Sequence, residues 1–415
     1  MRLGRRFAAL RLHDLRFVFG ATVVSELGDG VVGVALAFAV LDLTHSATDL
    51  GIVVASRTVA QVSALLIGGV IADRTSRRTV MMGADAIRCG GQVLIGALLI
   101  SHHATVVEIA LSQALLGAAG GFFNPASAGL IPAVAGEHLQ EANALQGIGM
   151  AASNIIGPAI GGVLVVGVGA PWAMVVDGAS YLGSALLLSR VHSPGLSAAA
   201  GDPDASFLRE LRGGFHEVRS RTWVWSLIMT FAVGNALIGT FQVLGPLMSR
   251  EHYGGAAAWA LLGTVWAVGS LLGGVVVLRF KPKAPLRAGV LMCLPFALPS
   301  ILMALRMPLL VLVPFQLLAG IGPIGFNTLW WTALQQHVPA EAISRVISFD
   351  FAGSFALQPI GYLLAGPVAV WLGLAPAMIV FSSTAFLAFF SNLLVRDVHT
   401  LRASPAGAAP AEASA

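Results

Sequence analysis

The chain has 415 residues, of which 56% are hydrophobic and only 11% are charged, with a formal net charge of +4. Soluble domains carry charge on about a quarter of their residues, so a chain this poor in charge could not cover a globular surface, and a large soluble enzyme is excluded. The basic balance does not signal nucleic acid either, because arginine and lysine fall at the ends of apolar runs rather than along one face.

Residues 1–16 are basic and lead directly into a long apolar run, with no short core followed by a small-residue cleavage site. They are expected to lie at the inner membrane face as an amphipathic anchor. Twelve apolar runs follow, each long enough to cross a hydrocarbon core of about 30 Å as a helix. They fall at 17–41, 48–72, 79–101, 104–133, 142–167, 171–191, 223–249, 257–280, 287–305, 308–334, 342–366 and 370–396. The second and third are joined by a short charged turn carrying Asp73, Arg74, Arg77 and Arg78, so they form an antiparallel hairpin. In the polar stretch 192–222, Phe207, Leu208, Leu211, Phe215 and Val218 recur at helical spacing beside four arginines, which predicts a surface helix. The Ala-, Pro- and Ser-rich tail reads as disordered.

With the N-terminus inside, 20 of the 24 arginines and lysines fall at cytoplasmic ends, two lie within spans (Arg57, Arg88) and two lie outside (Arg250, Arg306). Both termini are therefore expected to be cytoplasmic. The expected organisation is a basic N-terminal segment (1–16), a six-helix half (17–191), a linker (192–222), a second six-helix half (223–396) and a tail (397–415).

The halves echo one another. Leu115-Leu116-Gly117-Ala118-Ala119-Gly120-Gly121-Phe122-Phe123-Asn124 resembles the segment from Leu317 to Asn327, with the two asparagines 203 positions apart. Pro158 and Pro359 are 201 apart in similar surroundings, and Cys89 and Cys293 are 204 apart. Such an offset with six spans per half keeps both halves in the same orientation, as in transporters built from parallel repeats.

Within the spans, Glu26 and Asp29 sit near mid-membrane on one face of the first helix. A charged carboxylate there costs roughly 2.5–3.5 kcal/mol on insertion scales, so the pair suits a protonation site, neutral when closed to water and ionised when a cavity opens. Asp29, flanked by Gly28 and Gly30, is favoured over Glu26. A structural pair bonded to neighbouring helices is the alternative. Asp85 and Arg88, also three apart, either neutralise each other or reach Arg345. Arg57 and Asp177 have no partner obvious from spacing, and Asp350 in the eleventh span could face the arginines beside Asp73. Gly157, Pro158, Gly161 and Gly162 allow the fifth helix to bend and to pack closely. Asn124, Asn154, Asn235, Gln242, Asn327 and Gln358 are polar groups in apolar helices near aromatic residues, a mixture suited to binding a large amphiphilic molecule or to helix packing. The histidines show no ligand spacing, so no metal site is expected. The cysteines form no CxxC and no framework. No Walker loop is present, so ATP is not expected to drive this chain and no cofactor is expected.

The turn Gly69-x-x-Ala72-Asp73-Arg74-x-x-Arg77-Arg78, the element Gly157-Pro158-Ala159-Ile160-Gly161-Gly162 and twelve spans resemble the major facilitator superfamily. The Gly-Pro element is similar to the signature of its drug–proton antiporters. Ser25-Glu26-Leu27-Gly28-Asp29 and Asp85-Ala86-Ile87-Arg88 resemble its macrolide-efflux and enterobactin-exporter branch. The resemblance implies an all-α integral membrane fold of two parallel six-helix halves in a bacterial plasma membrane, working as a monomer. It implies a gate in which Asp73, with Arg74, Arg77, Arg78, Asp85, Arg88 and Arg345, holds the start of the eleventh helix near 342–345; the alternative is that the loop arginines serve only membrane topology. It also implies that the bend at Gly157-Pro158 restricts proton leak. Ser76 stands where the turn motif usually has Gly, and the second-half copy of the motif lacks the aspartate, so gating is expected in the first half. The expected function is proton-coupled efflux of an amphiphilic drug or metabolite by alternating access. A proton-coupled importer or uniporter is the alternative, and a non-transporting receptor a remoter one.

Overall fold

In the computed structural model, residues 11–192, 215–279, 282–338 and 340–402 are described, without the side chains of 66–74, 278, 340–342, 344, 345 and 348. Most of the N-terminal segment, most of the surface helix expected in the linker and most of the tail therefore lie outside the described residues, as do the side chains of Asp73, Arg74 and Arg345.

Every regular element among the described residues is helical. In the first part of the chain these are α1 (His13–Thr44), α2 (Ala47–Arg74), α3 (Arg77–Ile100), α4 (Val106–Ala135), α5 (Leu139–Gly167) and α6 (Ala170–Leu188). Local chemistry sets their ends. Ser46 caps α2 by accepting from the Asp49 amide at 3.2 Å. Thr105 and Glu108 form a reciprocal capping box at the start of α4. His45, in the left-handed region at φ 57°, turns the chain out of α1.

The second part holds α7 (Thr222–His252), α8 (Ala256–Arg279), α9 (Pro285–Cys293), α10 (Leu298–Ala304), α11 (Leu309–His337), α12 (Ala340–Phe355), α13 (Gln358–Leu372), α14 (Leu374–Ser391) and the short α15 (Arg396–Thr400). Two predicted spans are broken here. The ninth consists of α9 and α10 joined by a 3-10 turn at Leu294–Ala297; Pro295 in that turn and Pro299 in the first turn of α10 each remove a backbone donor. The eleventh is interrupted between Phe355 and Gln358, just ahead of Pro359, and runs on to Leu372 instead of ending near 366. The helix stops there because Gly373 adopts φ 91°, a value that a side chain would resist. Gly169, 204 positions earlier, has φ 93° and opens α6 as Gly373 opens α14, so the internal repeat extends to backbone conformation. Gln113 and Gln316, 203 apart in α4 and α11, are both buried as well.

The chain divides into two compact units, Met1–Ala200 with Ser249–Thr264, and Gly201–Met248 with Val265–Ala415. In the first, α1 packs on α5 and α6, α2 on α4, and α3 on α4 and α6. In the second, an aromatic core joins Trp223, Phe231, Phe326, Trp330 and Phe389, with the Phe231 and Phe326 rings 4.4 Å apart. Both cysteines are free thiols.

The α1–α5 contact depends on two glycines. A Cβ on Gly157 would sit 2.7 Å from the Gly30 Cα, and one on Gly161 would sit 2.6 Å from the Val31 carbonyl oxygen. Both obstacles are backbone, so neither can swing aside. Gly157→Ala is expected to lower stability by about 1–3 kcal/mol through overpacking and to reduce the melting temperature in detergent. Gly147→Ala, on an exposed face of the same helix with nothing within 4 Å of the added carbon, should leave the melting temperature unchanged or raise it. Equal effects of the two substitutions would contradict this account of the contact.

Candidate functional site

Four helices of the first unit bring ionisable side chains together. Asp29 on α1 accepts from Arg57 Nη2 on α2 at 2.5 Å and from the Tyr181 hydroxyl on α6 at 3.0 Å. One turn before Tyr181, Asp177 is fully buried and accepts from Gln92 Nε2 on α3 at 2.5 Å and from the Ser180 hydroxyl at 3.3 Å. Asp177 can approach α1 because residue 28 is glycine: a Cβ there would lie 2.3 Å from Asp177 Oδ1 and 2.0 Å from Ser180 Oγ.

Lower on the same face of α3, Asp85 is fully buried and accepts from the Ser184 hydroxyl at 2.6 Å. Arg88 Nη1 is 3.8 Å from Asp85 Oδ1, close enough for an ion pair but too far for a hydrogen bond. The Arg88 guanidinium is wedged between two rings, 5.0 Å from the Phe123 centroid and 5.2 Å from that of Tyr181, a geometry that adds cation–π attraction. Asp85 Oδ1, Arg88 Nε and Gln92 Oε1, all buried and all along α3, have no hydrogen-bond partner among the described residues.

Glu26, one turn before Asp29, is half-buried, and its Oε2 is buried with no hydrogen-bond partner among the described residues. Among the described residues the cluster therefore holds the carboxyls of Asp29, Asp85 and Asp177 against the guanidiniums of Arg57 and Arg88, with Glu26 a turn away. Carboxyls exceed cations.

Asp85 and Arg88 thus belong with α6 and the buried cluster. Arg77 donates to the Gly129 carbonyl at 2.6 Å, and Arg78 donates to the carbonyls of Leu188 at 3.0 Å and Ser189 at 2.6 Å. Both tie the start of α3 to the ends of α4 and α6. Gly157 and Gly161 line the α1–α5 contact, and α5 runs unbroken through Pro158 from Leu139 to Gly167. In the same unit, a Cβ on Gly162 would meet the Ala260 methyl at 2.4 Å. Asn124, Asn154, Gln242 and Asn327 are exposed, and Gln358 is half-buried. Asn235 donates to the Ser354 carbonyl at 2.8 Å, so its amide is engaged in joining α7 to α12. In the second unit Asp350 accepts from Trp330 Nε1 at 2.8 Å and from the Ser354 hydroxyl at 3.0 Å.

Arg57 and Asp177 were visible in the sequence as charges within spans and without local partners. An isolated charge in a span implies a partner on another helix, and that signal could have led to both. Tyr181, Gln92 and Ser184 gave no signal, because nothing in a single helix separates a buried hydroxyl or amide in such a cluster from one that merely packs.

Spans of this length, two compact units with repeated backbone features and a charged cluster inside one of them define an integral-membrane transporter. The chain belongs to the Major Facilitator Superfamily, whose family model matches residues 18–361. It is 26% identical over 379 residues to the multidrug efflux pump Tap of Mycolicibacterium fortuitum, covering 87% of this chain and 90% of that one. It is 27% identical over 370 residues to the enterobactin exporter EntS of Escherichia coli O1:K1 / APEC, covering 86% of each. Among solved structures, a bacterial homologue of the human lysosomal transporter Spinster superposes with a TM-score of 0.72 at 16% identity, over 98% of this chain and 100% of the other. The nucleoside transporter NupG superposes with a TM-score of 0.72 at 13% identity, over 93% of this chain and 100% of the other. The protein is thus an all-α, multi-pass membrane transporter of this superfamily.

Proposed function

We propose that the protein is a proton-coupled exporter of amphiphilic small molecules, acting as a monomer in the bacterial plasma membrane with both termini cytoplasmic. The observation that carries the proton-coupled part is the excess of carboxyls, among the described residues, in and beside the cluster: Asp29, Asp85, Asp177 and Glu26 against Arg57 and Arg88. An unpaired charge held away from water is costly, so an excess carboxyl is stable there only while it carries a proton or faces water. Alternating access supplies those two conditions in turn.

Within the Glu26/Asp29 pair, the geometry favours Glu26 as the carrier. Asp29 is held by Arg57 and Tyr181, whereas Glu26 Oε2 is free to bind and release a proton without breaking an ion pair. Asp29 then keeps Arg57 in place and sets the local charge. The names of the efflux pump Tap and the exporter EntS favour the outward direction. Exposed Asn124, Asn154, Gln242 and Asn327 on apolar helices suit an amphiphilic cargo, which needs apolar area with a few polar contacts; Gln358 is assigned the same role. Asp73, with Arg74 and Arg345, is assigned to the cytoplasmic gate. Arg77 and Arg78 brace it by holding the neighbouring helix ends.

Accumulation of a fluorescent amphiphile such as ethidium in cells tests this reading. Expression of the wild type should lower accumulation several-fold, and a protonophore should erase the difference. Glu26→Gln, nearly the same size but unable to ionise, should behave like cells without the protein while still reaching the membrane in normal amounts. Raised accumulation on expression would reverse the assigned direction, and an unaltered effect with Glu26→Gln would remove that residue from the coupling.

A further inference from the structure

At the opposite end of α1 from its C-terminal turn, three potential ligands converge that the transport reading does not use. His13 and Asp14 open α1, and His192 lies just beyond α6, 178 positions along the chain from Asp14. The spacing of these residues gave no hint of a ligand set, because only the fold brings the two segments together.

His13 Nδ1 is 3.1 Å from Asp14 Oδ1, and His192 Nδ1 is 3.3 Å from the same oxygen. All three ligand atoms lie within 4.8 Å of one another, and the imidazole centroids are 5.1 Å apart. The His192 amide also donates to Asp14 Oδ1 at 2.9 Å, so backbone as well as side chain fixes this residue beside α1. Zinc–nitrogen and zinc–oxygen bonds of about 2.0–2.2 Å in a tetrahedral site put neighbouring ligand atoms about 3.3–3.5 Å apart. The two nitrogen–oxygen separations are already close to that edge length, and the imidazoles would swing together to bring the third separation, within 4.8 Å, to the same length around an ion.

The ligand types set the class of ion. Two imidazoles and one carboxylate suit zinc, cobalt, nickel or copper(II), whereas magnesium and calcium take oxygen ligands. His192 is 83% exposed and His13 47%, so an ion would have direct access from water and would keep water in its remaining positions. We propose that His13, Asp14 and His192 form a surface site for one divalent transition-metal ion of the zinc class. The ion would staple the first turn of α1 to the segment leaving α6.

The test is a cobalt(II) titration of the full chain in detergent, purified without a polyhistidine tag, followed by visible absorption. The expected result is one saturable equivalent whose absorption is displaced by zinc. His192→Ala and Asp14→Asn should each weaken it at least tenfold. His102→Ala combined with His103→Ala, an exposed pair elsewhere, should leave it unchanged. Because His192 is exposed, its truncation removes a ligand and leaves the core intact, and an unaltered melting temperature checks this. No saturable binding, equal binding by His192→Ala, or loss only in the His102/His103 variant would each overturn the proposal.

Discussion

Arg57→Gln is expected to destabilise the first unit by about 3 kcal/mol, because it leaves Asp29 without its cation. Breaking a buried ion pair from one side costs about 3–5 kcal/mol. The lower end applies because the side chains of Arg57 and Asp29 keep 27% and 32% of their exposure. The melting temperature in detergent should fall and transport should be lost. Combining Arg57→Gln with Asp29→Asn removes both charges, so most of the lost stability should return while transport stays low. That non-additivity, measured as a double-mutant cycle, separates a pair that stabilises the bundle from two residues with independent roles. Strictly additive effects would mean that the 2.5 Å contact is not an energetic unit.

The second large effect is expected at Arg88. Its guanidinium is buried, lies between the rings of Phe123 and Tyr181 and is paired with Asp85. Arg88→Ala therefore removes packing and leaves a buried carboxyl unbalanced, a combined loss of about 3–5 kcal/mol. Arg88→Lys restores the charge but not the flat stacking surface, so it should recover only part of the stability. Thermal unfolding of the three proteins measures this directly. Full rescue by lysine would show that charge alone matters at this position, and a neutral Arg88→Ala would remove it from the cluster.

Much of the fold was legible because its signals are local. Apolar runs long enough to span, arginines at their ends and motifs repeated 201–204 positions apart are written along the chain, and the described helices follow most of the predicted spans. Breaks were harder to read. Proline is tolerated inside spanning helices, so Pro158 leaves α5 continuous while Pro295 accompanies a 3-10 turn. No sequence rule separated the two, since the outcome depends on what the freed carbonyl meets in a neighbouring helix. The end of the eleventh span was misplaced for a related reason: Gly373 looks like any other glycine in an apolar run until its positive φ is seen.

The candidate site was legible in part. Glu26 and Asp29 were found because two carboxylates in one span are conspicuous, and Asp85 with Arg88 because they share a helix face. What separates their roles is tertiary. Arg57 reaches Asp29 from another helix, 28 positions away, and Gln92 reaches Asp177 across 85 positions. Spacing along one helix carries no information about such partners. Asp29, favoured for its glycine neighbours, is the paired member, and Glu26 has the free oxygen. The glycine at 28 has a different reason, the close approach of Asp177 and Ser180 to α1.

The central claim, exchange of protons for cargo through Glu26, is tested most directly with purified protein in liposomes holding a trapped pH indicator. An imposed gradient of a transported amphiphile, with no initial pH difference, should drive protons in the opposite direction in the wild type and not in Glu26→Gln. Cargo that crosses in the wild type with no proton movement, or proton movement that survives Glu26→Gln, would contradict the account.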